Sequence, residues 1–464
     1  MTTPPHVVVM GGGFAGLSCA TALAESGARV TLLEARRALG GRAGSFVDEA
    51  TGEVVDNGQH LFMRCYRETR AFLDRIGTGH LLRFQKNLTV DYLHHGHHSR
   101  LKCPGLPAPW HLLAGVLMLK GPALADRLAV LRAGPALRRL RTPGGVESLE
   151  ALTVTEWLDR LGQTSALRRW LWHPLAIATL NESPDIAPAS LLASVLVEGF
   201  LHDSGSSALG VATVGLSELY TEAATRFIQQ RGGAVRFGAA ATALRCAGPR
   251  VTGVEIRDGG AVDADAFVSA LPPAALARIG VPVAGLDRFA SSPILSINLW
   301  IDRPLSGIAP FDFAGIVDGR IQWLFNKERI LDGKAHHLAA VISAARDQVG
   351  RSNEELAAMA WDDVRTHLPA ARAAQLVRSM VVRERTATFS ATVQTEPLRP
   401  GHRSPYDNLH LAGDWTERGL PATIETAVRT GHRCARLIAA ATPGAEAEAA
   451  RAFRNETSPR PSRS

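Results

Sequence analysis

Residues 7–16 read VVVMGGGFAG, and the chain continues LSCATALAESGARVTLLE to Glu34. Four consecutive apolar residues at 7–10 fit a short strand buried on both faces, as in a parallel sheet. Leu17, Ala20, Leu23 and Ala24 then recur with helical spacing until Gly27, and residues 30–33 (VTLL) form a second apolar strand. The turn between strand and helix carries the GxGxxG spacing at Gly11, Gly13 and Gly16. Gly11 makes the tight turn, Gly13 lets a pyrophosphate approach the backbone, and Gly16 lets the helix pack closely on the sheet. The helix N-terminus, opened by Phe14 and Ala15, offers free N–H groups to phosphate. Glu34 ends the second strand 18 positions after Gly16, where a carboxylate accepts hydrogen bonds from a ribose diol. Ala35 and Arg36 follow it at the rim of the same site. The glycine spacing alone is weak, but strand, helix and acid are all in register with it. The reading is an α/β domain that binds a dinucleotide, and the acid favours an unphosphorylated ribose, as in NAD or FAD.

The bulk numbers agree with a large globular protein. The 464 residues suffice for two or three domains, with 46% hydrophobic and 20% charged residues. No apolar run approaches the roughly 18 to 20 residues of a membrane span. The N-terminus MTTPPHVVVMGGG has no basic region and enters a strand directly, so it does not read as a secretory signal. Five cysteines with no CxxC point to a reducing compartment and to no metal cluster. The net charge of +7 is carried almost wholly by arginine, since only five lysines occur. That excess suits an anionic membrane surface and is too weak to argue for nucleic acid.

Directly after the second strand, residues 39–44 (LGGRAG) form another glycine-rich turn, with Gly41 and Arg42 at its centre. This arrangement resembles the extended fingerprint of FAD enzymes of the amine oxidase and phytoene desaturase superfamily. The resemblance implies that Arg42 lies near the diphosphate and flavin end of a noncovalently held FAD. It also implies a discontinuous FAD-binding domain of the glutathione reductase type, completed by a late strand lying beside the first. Near the C-terminus, HLAGDWTE (410–417) supplies a strand closing in Gly413-Asp414. In this superfamily that acid accepts from the ribityl hydroxyls. The following stretch, with Thr423 and Ile424, points a helix N-terminus at the flavin, where its dipole stabilises negative charge on the reduced ring. A middle segment returns through residues 214–219 and 233–237 to 266–273, and relatives contact adenine with the backbone at the Val235 position. The expected division is FAD-binding pieces 1–60, 211–280 and 385–440, with a mixed-sheet and helical substrate domain in 61–210 and 281–384. The tail 441–464 lacks a core pattern.

A narrower resemblance, to hydroxysqualene dehydroxylases of bacterial squalene and hopanoid synthesis, rests on five stretches. They are DNGQH (56–60), LKCP (101–104), VGLSELY (214–220), RTATF (385–389) and residues 411–430. Gly58 belongs to the first. Two departures occur in the last: Thr426 and Thr430 stand where the family has glycine and serine, and Thr426 is expected to narrow the space beside the flavin helix. The family replaces an allylic hydroxyl of a C30 isoprenoid with hydride from reduced flavin, with NADPH or another reductant upstream. That chemistry needs an apolar tunnel and a donor to the departing oxygen. His60, Asp56, Asn181 and Glu182 are the candidates, as polar residues in apolar surroundings. Residues 100–141 carry eight Lys or Arg against one acid, Asp126, around the apolar run PWHLLAGVLML (109–119). Helices at 104–141 are therefore expected to dock peripherally on the cytoplasmic face of the membrane. Association with other enzymes of the pathway is a further implication of the resemblance.

Two features are set aside. HHGHH (94–98) reads as an exposed hairpin tip whose rings diverge, so no metal is assigned. An amine oxidase reading suffers from the lack of any lysine in residues 251–326 and from only four tyrosines for an aromatic cage. A carotenoid-type desaturase stays open, because it also needs FAD and a long apolar tunnel. A prenyl-binding escort protein of the same fold has no need for the full set of Gly11, Gly13, Gly16, Glu34 and Asp414.

Overall fold

The computed structural model describes residues 4–331, 333 and 336–441, so the tail reading falls almost entirely outside the described residues. Its first layer is a five-stranded parallel sheet in the order Ala234–Arg236, Arg29–Leu33, His6–Met10, Ala266–Ser269, Leu409–Leu411. Strands from the start, middle and end of the chain thus share one sheet. The late strand does not lie beside the first, as expected; Ala266–Ser269 is inserted between them and pairs with both. Phe267, Val268 and Ser269 of that strand are buried, as are Leu409 and Leu411 of the edge strand, so apolar composition alone does not fix which of the two neighbours the first strand.

Alternation along these strands divides the packing. Val7, Val9, Val30, Leu32 and Val268 meet the helices Phe14–Glu25, Leu216–Gln229 and Ile424–Ala441. Val8, Met10, Leu33, Phe267 and Leu411 share the opposite core with Val251, Val254 and Val262 of a three-stranded antiparallel sheet. Because both faces are covered, the strands read as continuous apolar runs.

The second large layer is a seven-stranded mixed sheet. Its order is Leu376–Phe389, Ser291–Ile301, His337–Ile342, Trp323–Asn326, Phe313–Ile316, Thr89–His94, His97–Lys102. Leu295, Ile297 and Leu299 face the helix Asn353–His367, which starts at a Ser352/Glu355 capping box. The alternate face, with Ile294, Phe325 and Val341, looks toward the interior cavity. The strand Leu376–Phe389 runs unbroken through the expected 384/385 division and the strand Leu209–Ala212 through the 210/211 division. Both strands pair only with strands of the expected substrate pieces, Ser291–Ile301 for the first and Phe62–Met63 and Leu82–Phe84 for the second. Short helices between residues 110 and 201 roof the cavity, with π-helical turns at Arg168–Trp172 and Val197–Leu201.

Candidate active site

A cavity of about 1120 Å³ runs between the two sheets, above the roughly 300–1,000 Å³ of an ordinary small-ligand pocket. Gly11, Gly13, Phe14 and Ala15 border one end, with Glu34, Ala35 and Arg36 beside them and Gly41 and Arg42 across from them. Glu34 is buried and accepts from the backbone N–H of Gly12 (2.8 Å) and of Arg36 (2.8 Å), one on each oxygen. It therefore holds the glycine turn in shape, and each oxygen keeps a second lone pair for a ribose hydroxyl. Gly16 stands off the wall: a Cβ there would lie 1.8 Å from the Gly11 carbonyl oxygen, so the helix is seated directly on the turn. Val235 does not reach the cavity either. Its strand pairs with Leu32, and the wall on that side is formed further on, by Ala239 and Ala241.

Arg42 joins the two chain ends. Its guanidinium donates to Asp414 Oδ1 at 2.7 Å and to the Ala387 carbonyl at 3.0 Å. Burial pulls the Arg42 pKa down, but the charge and hydrogen bond of Asp414 outweigh it, and the net shift is upward. Gly413 takes φ +141°, open to glycine, and its N–H donates to Thr430 Oγ1 at 2.9 Å. Behind this turn the fully buried Arg399 guanidinium donates to the carbonyls of Asp414 (2.8 Å) and Trp415 (3.1 Å) and pairs with Glu396 at 2.9 Å. Thr423 caps the next helix, accepting from the Thr426 N–H at 3.2 Å. Thr426 is buried and donates to the Pro421 carbonyl at 2.7 Å, away from the cavity wall. It does not narrow the site as expected, because its hydroxyl is engaged inside the helix cap.

Of the four candidate donors, His60 and Asn181 border the cavity, together with Gly58, while Asp56 and Glu182 do not. Asp56 Oδ2 accepts from Lys327 Nζ at 2.6 Å, and its other oxygen accepts from the Leu216 N–H at 3.0 Å. Glu182 is fully buried, bidentate to Arg346 at 2.5 and 2.6 Å, and accepts from the Ser390 hydroxyl at 2.6 Å. Asn181 donates both amide hydrogens, to the Ser292 carbonyl (3.1 Å) and Thr388 Oγ1 (3.0 Å), and accepts from the Ala344 N–H (2.7 Å). These three groups are committed to holding strands and turns. His60 Nδ1 lies 3.0 Å from the Gly58 carbonyl, which can only accept, so Nδ1 carries the proton. Burial lowers the His60 pKa. The neutral ring leaves Nε2 as an acceptor, not a donor.

Two residues that sequence reasoning passed over stand out. Lys327 lies one position beyond the lysine-free stretch, is buried, and bridges Asp56 to Gln59 Oε1 at 3.0 Å. An ammonium only donates, so the Gln59 oxygen must face it. The Gln59 amide nitrogen is then left with no hydrogen-bond partner among the described residues, in a side chain bordering the cavity. The available signal was that one of only five lysines directly follows an apolar strand, WLFN.

Beyond these groups the wall is mostly apolar, built from Leu112, Val116, Leu175, Phe200, Trp323 and Val341 among others, with Glu384, Thr386, Thr179 and Ser343 as further polar members. It reaches the surface at Trp110, Leu131, Arg138 and Arg141, all exposed. The His94–His98 hairpin forms as expected, with His98 and Arg100 paired to Asp91. His94 and His95 do not diverge, however: their rings are 4.7 Å apart, and Asp318 adjoins them.

The sequence profile of the family described as flavin containing amine oxidoreductase matches residues 14–439. The chain belongs to this family. It is therefore an FAD-dependent oxidoreductase, and the residues at hand fit that cofactor: a glycine turn without side chains in the way, a buried acid with lone pairs to spare beside it, and the Arg42–Asp414 pair. Among curated relatives, it is 31% identical over 440 residues to hydroxysqualene dehydroxylase of Rhodopseudomonas palustris, covering 94% of this chain and 98% of that one. It is 25% identical over 457 residues to 15-cis-phytoene desaturase of Synechococcus elongatus, covering 94% and 96%. A solved oxidoreductase from Methanosarcina mazei superposes with a TM-score of 0.71 at 16% identity, covering 93% of this chain and all of that one, which shows the fold alone. Within this flavin family, the first of these matches agrees with the resemblance to hydroxysqualene dehydroxylases drawn from the motifs.

Proposed function

We propose that this flavin oxidoreductase converts hydroxysqualene to squalene. The reading rests on one observation: a single apolar cavity joins the dinucleotide cradle to an exposed, basic and apolar surface, with few polar groups along it. The bound flavin would supply a hydride, with NADPH or another reductant restoring it. The chain supplies the rest. Loss of the allylic hydroxyl as water consumes one proton, so the departing oxygen needs a donor. Gln59 is assigned the hydrogen bond to that oxygen, its amide polarised by the Lys327 ammonium bonded to its oxygen; an amide does not ionise, so the proton itself is taken up from solvent water. The Gln59→Leu variant should keep FAD and lose at least tenfold in turnover; unchanged turnover would remove Gln59 from the reaction.

No helix among the described residues is long and apolar enough to cross a membrane. The mouth of the cavity instead carries Trp110, 61% exposed, with Leu131, Arg138 and Arg141, and the same segment exposes Met118 (66%), Leu124, Leu128, Arg132 and Arg139. Peripheral docking on an anionic cytoplasmic leaflet would let a C30 hydrocarbon pass from lipid to cavity without crossing water. Association with other squalene or hopanoid enzymes is part of the same proposal. Incubating the protein with FAD, a reductant and hydroxysqualene, then assaying squalene by gas chromatography, tests it. Phytoene and a polyamine run in parallel: desaturation of the former or oxidation of the latter, with no squalene formed, replaces the proposal with that activity.

A further inference from the structure

We propose that the tip of the His-rich hairpin is one part of a divalent transition-metal site, formed by His94, His95 and Asp318. The ligand-type atoms of these three side chains all lie within 4.8 Å of one another. Adjacent residues of a strand normally point to opposite faces. Here the chain turns between them: His95 takes φ +45° and Gly96 φ +83°, which swings the His95 ring back beside that of His94. Asp318 arrives from another part of the chain. Its strand, Phe313–Ile316, runs parallel to Thr89–His94, and the Val317 N–H continues the ladder to the Leu93 carbonyl at 2.9 Å. Asp318 itself takes φ +64°. Left-handed backbone at a non-glycine residue is uncommon and costs roughly 1–2 kcal/mol, yet two such residues meet at this one spot. Asp318 Oδ2 lies 3.1 Å from His94 Nε2, so a cation between them would replace one hydrogen bond.

The donor set defines the class of ion. Two imidazoles and one carboxylate suit Zn²⁺, Ni²⁺, Co²⁺ or Cu²⁺, not the all-oxygen preference of Ca²⁺ or Mg²⁺. Three protein ligands leave positions for water, as exposure of the hairpin allows. Arg169 Nη1 also donates to Asp318 Oδ2, at 3.1 Å. It is the competing cation, and it belongs to the π-helical turn Arg168–Trp172, whose Leu171 and Trp172 border the cavity. Metal binding would release Arg169 from that oxygen and pin the hairpin to the Asp318 loop. His97 and His98 serve as an internal contrast, since His98 is held by Asp91 and neither belongs to the cluster.

Calorimetric titration of the FAD-loaded, tag-free full chain with Zn²⁺ and with Ni²⁺ tests the assignment. One ion per chain is expected, weakened at least tenfold by His94→Ala and by Asp318→Asn. Arg169→Ala should strengthen binding, because it removes the competing charge, and His97→Ala should leave it unchanged. All four positions are at the surface, so flavin content and circular dichroism serve as folding controls. Absence of saturable binding, equal loss in His97→Ala, or binding indifferent to Asp318→Asn overturns the site.

Discussion

At the scale of single residues, ion pairs buried on both sides are few among the described residues, and Lys327–Asp56 is one of them. Lys327 and Asp56 are 3% and 5% exposed in their side chains and meet at 2.6 Å. Removing one partner of a buried pair leaves the other charge uncompensated, a loss of about 3–5 kcal/mol, whereas removing both is far milder. Lys327→Met should therefore destabilise the protein more than the double variant Lys327→Met/Asp56→Asn, as read by urea unfolding. If the double variant is the less stable, the pair does not act as a compensated unit. His337 titrates in the same neighbourhood. It is fully buried, its Nε2 donates to Asn298 Oδ1 at 2.9 Å, and burial, aided by the Lys327 charge, pushes its pKa down to about 3. The unfolded imidazole titrates near 6.5. Its stabilising contribution is thus present above pH ~6.5 and is lost as pH falls toward 3, because only the unfolded chain takes up the proton. The slope approaches roughly 1.4 kcal/mol per pH unit. Unfolding midpoints at pH 7, 6 and 5 should show a shallower decline in His337→Gln; parallel curves would mean the native histidine titrates normally.

At the scale of elements, local spacing proved readable and distant pairing did not. The glycine turn, Glu34 and the Gly413-Asp414 turn were found because each is a short motif whose chemistry lies within a few residues. The partners that determine the polar groups of the site are far apart in the chain: Asp56 and Lys327 are separated by 271 positions, and Glu182 and Arg346 by 164. No local pattern marks such pairs, so Asp56 and Glu182 looked available when they are committed. The late strand was misplaced for a similar reason, since pairing order within a sheet is not written in any one strand. The segment 104–141 was legible as short apolar helices with basic residues, yet which side chains face outward depended on the fold. Trp110 and Met118 do, while His111 and Val116 are buried. Charge reversal at Arg138, Arg139 and Arg141 should reduce pelleting with anionic liposomes and leave neutral liposomes unaffected, each basic residue near the surface being worth about 1 kcal/mol. Equal pelleting of wild type and variant would count against this surface as the docking face.

At the scale of the molecule, the residues proposed to cradle FAD come from both ends of the chain, which would link cofactor binding to folding. The glycine turn and Glu34 come from the first two strands, while Gly413 and Asp414 follow the last strand, with Arg42 bonded across to Asp414. A ligand touching both ends binds only the folded chain, and it stabilises that chain by about 2.7 kcal/mol when present at one hundred times its dissociation constant. The thermal midpoint of the protein stripped of cofactor should therefore climb with the logarithm of added FAD. Glu34→Ala separates two contributions. It removes the acceptor of the Gly12 and Arg36 N–H groups, which lowers the midpoint without FAD. It also removes the proposed ribose acceptor, and a charged hydrogen bond is worth roughly 1.5–3 kcal/mol, so on that assignment the variant should need at least tenfold more FAD for the same rise. A wild-type midpoint flat across FAD concentrations would break the link between cofactor and fold. A Glu34→Ala curve displaced only downward, with the same FAD dependence, would leave Glu34 as a turn-holding residue and assign the ribose to another group.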